Sequence, residues 1–263
     1  TGASTNYGYG WHIGRLYGNA KIGHGGGING FSTYAMRVPE KKVYVAVLTN
    51  SDSGGPESEK VALKAAAIAM GTPFPEYKAI TMAPETLEKF VGVYKIDDKS
   101  TRTIRLDDGK LTMQRTGQGR FPILAYKENA FFIPDSLLFL EFDRNAKGEV
   151  TSLTTTIDGG DPVAHARTGD KPVERTAVAM SPAAFDAYVG RYQLEGFHID
   201  VKREGAKFIA QLAGQPAFEV FPSSDTSFFL KVVDAELQFE KTADGGMQLM
   251  LNQGGRKIQG KRI

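Results

Sequence analysis

The chain has 263 residues, of which 41% are hydrophobic and 24% charged, and its formal net charge at pH 7 is +2. This balance is typical of a globular protein and gives no argument for binding nucleic acid or an anionic membrane surface. The absence of cysteine excludes disulfides and thiolate chemistry and is neutral about the compartment. No apolar run approaches the ~20 residues that span a bilayer.

The first part of the chain predicts a small sheet followed by a helix. Strands are expected at residues 7–13, 14–22, 31–38 and 43–48, with a hairpin turn near Tyr17-Gly18-Asn19. Residues 43–48 are continuously apolar, which predicts a central strand buried on both faces. A helix is expected to open at Pro56 and to stop at Gly71. Such a sheet needs a further layer, so it is predicted to belong to a larger α/β domain.

The stretch Gly23-His24-Gly25-Gly26-Gly27-Ile28-Asn29-Gly30-Phe31 holds five glycines in nine residues. Glycine lets a backbone approach another group closely. A glycine-rich strand beside a polar side chain is therefore suited to bind a carbonyl oxygen as it becomes an anion. In α/β-hydrolases a His-Gly-Gly-Gly loop has this role, but those enzymes also need a Gly-x-Ser-x-Gly elbow, which does not follow here.

A second family fits this stretch better. Together with Gly8-Tyr9-Gly10-Trp11, the stretch resembles the third active-site motif of serine beta-lactamase and penicillin-binding-protein-like hydrolases. In the class C-like, esterase and D-aminopeptidase branches that motif is His-x-Gly, on the strand that walls the active site. The resemblance implies catalytic roles for His24 and Gly26, and a substrate wall at Gly25 and Gly27. In it, the Gly27 N–H completes the oxyanion hole, although close strand packing would explain this glycine equally well.

The other two motifs of that family are missing. The chain contains no Ser-x-x-Lys, which carries the nucleophile. Tyr17-Gly18-Asn19 and Ser4-Thr5-Asn6 match the second motif in letters, but both lie too close to His24 and are interpreted as decoys. The chain is therefore expected to be the C-terminal portion of a longer enzyme and to be inactive alone.

The rest of the chain contains an internal repeat. Ala83-Pro84 and Phe90-Val91-Gly92-Val93-Tyr94 recur 98 residues later as Ser181-Pro182 and Tyr188-Val189-Gly190-Arg191-Tyr192. Each copy begins with a short helix and continues as short strands with frequent turns, which predicts an antiparallel barrel. Two such units after a beta-lactamase-like domain resemble D-aminopeptidase with its two lipocalin-like barrels.

The predicted fold is therefore mainly β, with three domains. Residues 1–81 would be the C-terminal strands and closing helix of a beta-lactamase-like α/β domain, and residues 82–170 and 180–263 two tandem lipocalin-like barrels. The resemblance also suggests a loop from a barrel that narrows the active site. Residues 156–170 and 251–260 are the two candidates to lie over the His24 strand.

Several residues have plainer interpretations. His12, His165 and His198 have no ligand-like spacing, so they are predicted to be surface or structural residues, and neither a metal nor a cofactor is expected. Asp158-Gly159-Gly160-Asp161 is interpreted as a turn rather than a calcium loop. Thr1 as an N-terminal nucleophile is a remote option, since no buried strand follows it.

The expected function is acyl transfer on a small peptide, amide or ester by a serine hydrolase whose remaining catalytic residues lie in a missing N-terminal part, of the same or another chain. A periplasmic or extracytoplasmic location is suggested by the resemblance only. The alternative is a non-catalytic binding or oligomerisation module, with small-ligand barrels and a possible homo-oligomer. Filled barrel cores would argue against ligand binding.

Overall fold

A computed structural model describes residues 6–51 and 57–263. The chain is mainly β and divides into two compact units, residues 1–89 with 123–167 and residues 90–122 with 168–263. Each unit therefore combines two separate stretches of sequence. In the described ranges, no helix has the length and apolar character needed to cross a membrane.

The first sheet is an antiparallel meander in which each strand pairs with the next one along the chain. Its strands are β1 (Tyr7–Gly8), β2 (Trp11–Leu16), β3 (Asn19–Ile28), β4 (Phe31–Val38) and β5 (Val43–Thr49). The predicted turn near Tyr17 and Gly18 is confirmed: both residues have positive φ, 48° and 77°, the conformation that suits a two-residue hairpin. The strand predicted at residues 31–38 is confirmed, and its bounds are the same as those of β4.

The prediction that residues 43–48 form a central strand buried on both faces is wrong. β5 is the last strand of the sheet, and alternate side chains are exposed, with Tyr44 68% and Leu48 80% accessible. Val45 and Val47 pack into the core on the other face. A short apolar run does not tell a doubly buried strand from an edge strand with one uncovered apolar face. This sheet presents such an uncovered face within the described residues.

Helix α1 (Ser58–Ala69) packs against β4 and β5. The predicted stop at Gly71 is confirmed, because this glycine has φ of 76° and the N–H of Thr72 donates to the carbonyl of Ala67 at 2.9 Å. This is the Schellman arrangement that satisfies the last carbonyls of a helix. Pro56, the predicted start of the helix, lies outside the described residues.

The first repeat copy forms two sheets. Helix α2 (Pro84–Leu87) and a 3₁₀ turn (Glu88–Phe90) precede a sheet of β6 (Gly92–Lys95), β7 (Thr101–Asp107), β8 (Lys110–Arg115) and β9 (Arg120–Pro122). The second sheet contains β10 (Leu124–Lys127), β11 (Ala130–Phe132), β12 (Leu138–Arg144), β13 (Val150–Ile157) and β14 (Val163–Ala166). Both are antiparallel meanders.

The second copy forms a closed eight-stranded barrel. Helix α3 (Pro182–Phe185) and a 3₁₀ turn (Asp186–Tyr188) precede it. Its strands are β15 (Gly190–Leu194), β16 (Phe197–Glu204), β17 (Lys207–Leu212), β18 (Ala217–Pro222), β19 (Ser227–Leu230), β20 (Ala235–Lys241), β21 (Met247–Gln253) and β22 (Arg256–Arg262). The predicted closed barrel is therefore confirmed for this copy.

Where a closed barrel is predicted for the first copy, the structure shows two sheets, and one of the differences lies in the fourth strand. In the second copy β18 is continuous, pairing first with β17 and then with β19. In the first copy the same pairings are divided between β9 and β10, with Ile123 between them. Pro122 has no N–H to donate and fixes its own φ, so it is a local cause of this break.

The interior of the closed barrel is filled with aromatic side chains. Phe185 and Phe208 stack at 4.0 Å between ring centroids, and Phe228 contacts Phe239 edge to face at 5.5 Å. All four residues are at most 7% exposed. This packing is the usual outcome for a barrel of this size and leaves the small-ligand interpretation without support in this copy.

The two repeat copies share a hydrogen bond at the start of their first strand. The hydroxyl of Tyr94 donates to the carbonyl of Phe90 at 2.7 Å, and the hydroxyl of Tyr192 donates to the carbonyl of Tyr188 at 2.8 Å. Both rings are fully buried. The two bonds are equivalent under the 98-residue offset, so each copy fixes the entry to its first strand in the same way.

The buried Tyr192 predicts a loss of stability at alkaline pH. Burial raises the pKa of Tyr192 to about 12 from its ordinary value of 10.0, while Arg262 opposes the shift. The folded state therefore holds this proton more tightly, and the stabilisation is complete below about pH 10 and lost as the pH rises towards 12. The shift corresponds to roughly 2–3 kcal/mol.

The measurement is urea unfolding of wild type and Tyr192→Phe between pH 9 and 12. Tyr192→Phe should be about 1 kcal/mol less stable at pH 7, because the Tyr188 carbonyl loses its donor. Its free energy of unfolding should then fall less steeply than that of wild type above pH 10. Tyr44→Phe, which alters an exposed ring, is the control and should follow wild type. Parallel curves for wild type and Tyr192→Phe would contradict this account.

Candidate active site

The four residues with predicted site roles, His24, Gly25, Gly26 and Gly27, follow one another in β3. His24 is paired with Ala35 of β4, whose neighbours Tyr34 and Met36 are only 6% and 1% exposed under α1. Side chains alternate along a strand and directly paired residues share a face, so the Cβ of His24 is directed to the face away from α1.

This face is the uncovered one. It also carries Tyr44 and Leu48 of β5, which are largely exposed. An exposed imidazole on an apolar sheet surface can meet a substrate or another protein segment, whereas a histidine buried under α1 could not.

His24 lies in a small cluster of aromatic side chains. The hydroxyl of Tyr7 is 3.2 Å from Nε2 of His24, and the ring of His12 stacks on that of His24 with centroids 5.7 Å apart. The rings of Tyr7 and His12 are 4.6 Å apart. These contacts fix the position of the imidazole.

Sequence reasoning missed His12 as a neighbour of His24, although a signal was present. With the hairpin turn at Tyr17-Gly18, His12 is paired with Gly23, the residue before His24, so the register brings the two histidines close together in the sheet although successive side chains alternate between its faces. The turn prediction therefore already contained the pairing. Elsewhere, His165 is buried and lies 3.0 Å from the hydroxyl of Thr155, and His198 is 4.0 Å from Asp200.

The glycines of β3 differ in their steric surroundings. A Cβ on Gly23 would lie 2.9 Å from the Tyr34 hydroxyl and 3.1 Å from a backbone oxygen, so packing requires glycine there. A Cβ on Gly26 would lie 2.8 Å from the Thr33 hydroxyl, which donates to the Gly26 carbonyl. Gly25 and Gly27 have only ordinary contacts, at 3.4 Å and 3.7 Å. Close packing within the described chain therefore does not explain Gly27.

A cavity of about 820 Å³ is lined by His12, His24, Gly25 and Gly26 and extends to the first turn of α1. Within it, the ammonium of Lys21 is 3.5 Å from the carboxylate of Glu59. Burial and a hydrogen bond to Glu59 raise the pKa of Tyr34, so this phenol stays protonated. These contacts tie the beginning of α1 to β3 and β4.

The segment 156–170 contacts the β2–β3 turn. The carbonyl of Gly159 accepts a hydrogen bond from the N–H of Tyr17 at 2.6 Å, and Asp161 pairs with Arg15 at 3.3 Å. His24 lies five residues beyond the start of β3, or roughly 17 Å along the strand. Residues 158 and 159 form the predicted turn, and the idea that this segment lies over the His24 strand and sets substrate size stays a prediction. The role of residues 251–260 stays a prediction.

Two family models match the chain. Residues 1–70 match the family described as Beta-lactamase, and residues 76–166 and 174–262 each match DUF3471, a domain of unknown function. The two DUF3471 matches together cover more than half of the chain and agree with the two repeat copies.

Individual relatives are similar to parts of the chain. Penicillin-binding protein 4* of Bacillus subtilis (strain 168) is 31% identical over 94 residues, which are 35% of this chain and 21% of that protein. A crystal structure of SurE with D-Leu is 22% identical, covering 61% of this chain and 38% of that one, with a TM-score of 0.32. The octameric penicillin-binding protein homologue from Pyrococcus abyssi is 23% identical, covering 57% and 35%, with a TM-score of 0.27.

These matches leave most of each relative uncovered. The chain spans about a fifth of the length of the curated relative, and between a third and two fifths of the two solved structures. The family model relates residues 1–70 to beta-lactamases, and the curated match relates the chain to a penicillin-binding protein, and thereby to serine hydrolases. The chain belongs to the DUF3471 family, whose domain it carries twice after a segment of the beta-lactamase family.

Proposed function

We propose that this chain is the C-terminal portion of a serine hydrolase that transfers acyl groups from a small peptide, amide or ester. It would supply the His-x-Gly wall of the active site, and a missing N-terminal part would supply the Ser-x-x-Lys nucleophile and the second motif. The observation that carries this proposal is the exposed His24, which borders a cavity together with Gly25 and Gly26 within the segment that matches the Beta-lactamase family.

The uncovered face supports an incomplete site. Ile28, Tyr44 and Leu48 are each at least 68% exposed, and a single sheet with one open apolar face needs a further layer to cover it. A layer placed there would enclose His24 between itself and the sheet. Removing water from such a site strengthens every electrostatic interaction with the reacting group.

The proposed chemistry assigns each residue of β3 a role. The serine oxygen of the missing part would attack the substrate carbonyl, and the N–H of Gly27 would donate to the oxygen that becomes negative. Gly25 and Gly26 would let the substrate lie against the strand without a side chain in the way. His24 would orient the substrate or assist proton transfer near the nucleophile.

The test of this function is covalent acylation. The chain alone should show no burst of product from a nitrophenyl ester or a beta-lactam, because it has no Ser-x-x-Lys. The chain joined to its encoded upstream segment should show a burst, with the acyl group on a serine of that segment by mass spectrometry. A burst from the chain alone, or an upstream segment without Ser-x-x-Lys, would overturn the proposal.

The substitution Gly27→Ala tests whether this glycine is needed for function rather than for packing. The added Cβ would make only ordinary contacts, so the free energy of unfolding should stay within about 1 kcal/mol of wild type. In the complete enzyme the same methyl group should crowd the substrate carbonyl and lower kcat/KM about tenfold or more.

Gly23→Ala is the matched control for Gly27→Ala in the same strand. It should destabilise the protein by about 1–3 kcal/mol, since its Cβ meets the Tyr34 hydroxyl and the Ala35 backbone. Urea unfolding and steady-state kinetics measure both variants. Unchanged kinetics in a stable Gly27→Ala variant would remove this glycine from the proposed site.

A further inference from the structure

The second compact unit contains a groove of about 630 Å³. It lies between β7, β8 and β9, the linker at Val173–Arg175 and the connection from β19 to β20. The charged residues that line it are four cations and four anions: Arg105, Arg120, Arg175, Lys231, Asp107, Asp108, Glu174 and Asp234. The groove is therefore balanced in formal charge and does not attract anions in general.

Two of the carboxylates in the groove already pair with arginines of the protein. Asp107 accepts hydrogen bonds from Arg120 at 3.0 Å and from the hydroxyl of Thr112 at 2.6 Å. Asp234 lies 3.4 Å from the guanidinium of Arg175 and accepts the N–H of Gly117 at 3.3 Å. Two of the three arginines are thus neutralised by the protein itself.

Arg105 is the third arginine, and no carboxylate lies within ion-pair distance of it in the described part of the chain. Its guanidinium donates to the side-chain oxygen of Gln114 at 3.1 Å and to the carbonyl of Val173 at 3.4 Å, which are both neutral. Its Nε is buried without a partner. Burial, and then the nearby Arg120, lower the pKa of Arg105, while Asp107, Asp234 and Glu174 oppose the shift.

Two arginines of the second copy show how a guanidinium pairs with a carboxylate. Arg191 binds Asp200 through two nitrogens at 2.7 and 2.9 Å, and Arg203 donates to Asp186 at 2.6 and 3.0 Å. A planar guanidinium fork is matched to a carboxylate in this way. Arg105 lines the groove with its two terminal nitrogens on neutral oxygens instead.

Glu174 is the negatively charged residue that complements Arg105 in this groove. It follows Val173, whose carbonyl contacts Arg105, and its charge is close enough to act on the pKa of Arg105. No cation lies within ion-pair distance of Glu174 among the described residues. Lys231 instead lies 4.1 Å from the centre of the Phe221 ring. Within the described ranges, Lys231 and Asp108 also lack an ion pair in the groove, but Arg105 and Glu174 are the oppositely charged pair without an ion-pair partner whose charges act on each other.

We propose that this groove binds a small zwitterion, a free amino acid or a short peptide, with its carboxylate on Arg105 and its ammonium towards Glu174. A multiply charged anion such as phosphate is disfavoured, because Asp107, Glu174 and Asp234 would repel it. The volume of the groove accommodates a ligand of this size. This inference does not depend on the proposed hydrolase function, since it rests on the second unit alone.

The experiment is calorimetric titration of the purified chain at pH 7 with glycylglycine, acetate, ethylammonium and inorganic phosphate. Glycylglycine should bind saturably and more tightly than acetate or ethylammonium, each of which carries half of its charge pattern. Arg105→Gln should weaken glycylglycine binding about tenfold or more. Arg191→Gln, which removes a paired arginine of the second copy, is the control and should leave binding unchanged.

Absence of saturable glycylglycine binding, or equal binding by Arg105→Gln and wild type, would overturn the proposal. Acetate or phosphate binding as tightly as glycylglycine would also overturn the zwitterion assignment. If Arg105→Gln does not fold, Glu174→Gln provides the same test at an exposed side chain. This variant should bind glycylglycine about tenfold more weakly than wild type and should bind acetate with unchanged affinity.

Discussion

His24→Ala in the complete enzyme is expected to lower kcat/KM about 100- to 1000-fold, the range for a group that assists proton transfer or stabilises charge in the transition state. The imidazole is exposed in this chain, and its hydrogen-bond partner is the exposed hydroxyl of Tyr7. Replacing His24 with alanine should therefore lower the free energy of unfolding by less than about 1 kcal/mol. A large loss of turnover with little loss of stability is the signature of a residue that acts on the substrate.

The measurement compares kcat/KM for a nitrophenyl ester with the urea midpoint of the same preparation. His198→Ala is the matched control, since that histidine is partly exposed in the second repeat copy, and its activity should equal wild type. His24→Asn, which retains a polar side chain, should lose less than His24→Ala if the role is orientation. A turnover within threefold of wild type in folded His24→Ala would exclude His24 from the site.

The local parts of this fold could be read from the sequence, because single residues decide them. Gly18 permits the positive φ of the β2–β3 turn, and Gly71 permits the left-handed end of α1. Residues 31–38 alternate and are followed by a proline turn, so the bounds of β4 could be predicted. In each case the signal lies within a few residues of the structure that it determines.

The errors concern partners that are distant in sequence. The apolar run of β5 gave no information on whether its second face is covered, and the structure leaves Leu48 80% exposed. The contact of Gly159 with Tyr17 joins residues more than 140 positions apart, and no local pattern encodes it. Pro122 is visible in the sequence, but its effect on the first repeat copy depends on which strands its neighbours pair with.

The candidate site was located only in part for the same reason. The glycine run and His24 are a local signal, and they share one strand. The proximity of His12 and Tyr7 requires the hairpin register as well as the motif. The lack of an ion pair at Arg105 could not be found in the sequence, because the residues that meet a side chain are decided by the tertiary structure.

Gly117→Ala is expected to destabilise the second unit by about 2–5 kcal/mol. Gly117 has φ of 72°, which costs an L-residue about 1–2 kcal/mol. Its Cβ would also clash with Cα of Gly254, in the β21–β22 turn, and would lie 3.1 Å from N of the same residue. Backbone cannot move aside like a flexible side chain, so overpacking adds about 1–3 kcal/mol.

This contact joins the two repeat copies within the second unit. Beside it, the N–H of Arg120 donates to the carbonyl of Val232 at 2.9 Å, and the N–H of Asp234 donates to the carbonyl of Gln118 at 3.3 Å. A methyl group on Gly117 would separate the 116–120 turn from the second copy and weaken these bonds together. Hydrogen exchange of the Arg120 and Asp234 amides should therefore accelerate in Gly117→Ala.

Two glycine variants serve as matched controls for urea unfolding followed by circular dichroism. Gly109→Ala has φ of 75° with no atom near its Cβ, so it should lose only the backbone cost of about 1–2 kcal/mol. Gly254→Ala, on the other side of the contact, would place its Cβ 3.5 Å from Gly117 and should behave like Gly109→Ala. If Gly117→Ala is no less stable than Gly109→Ala, the close approach of the two backbones is not what holds the copies together.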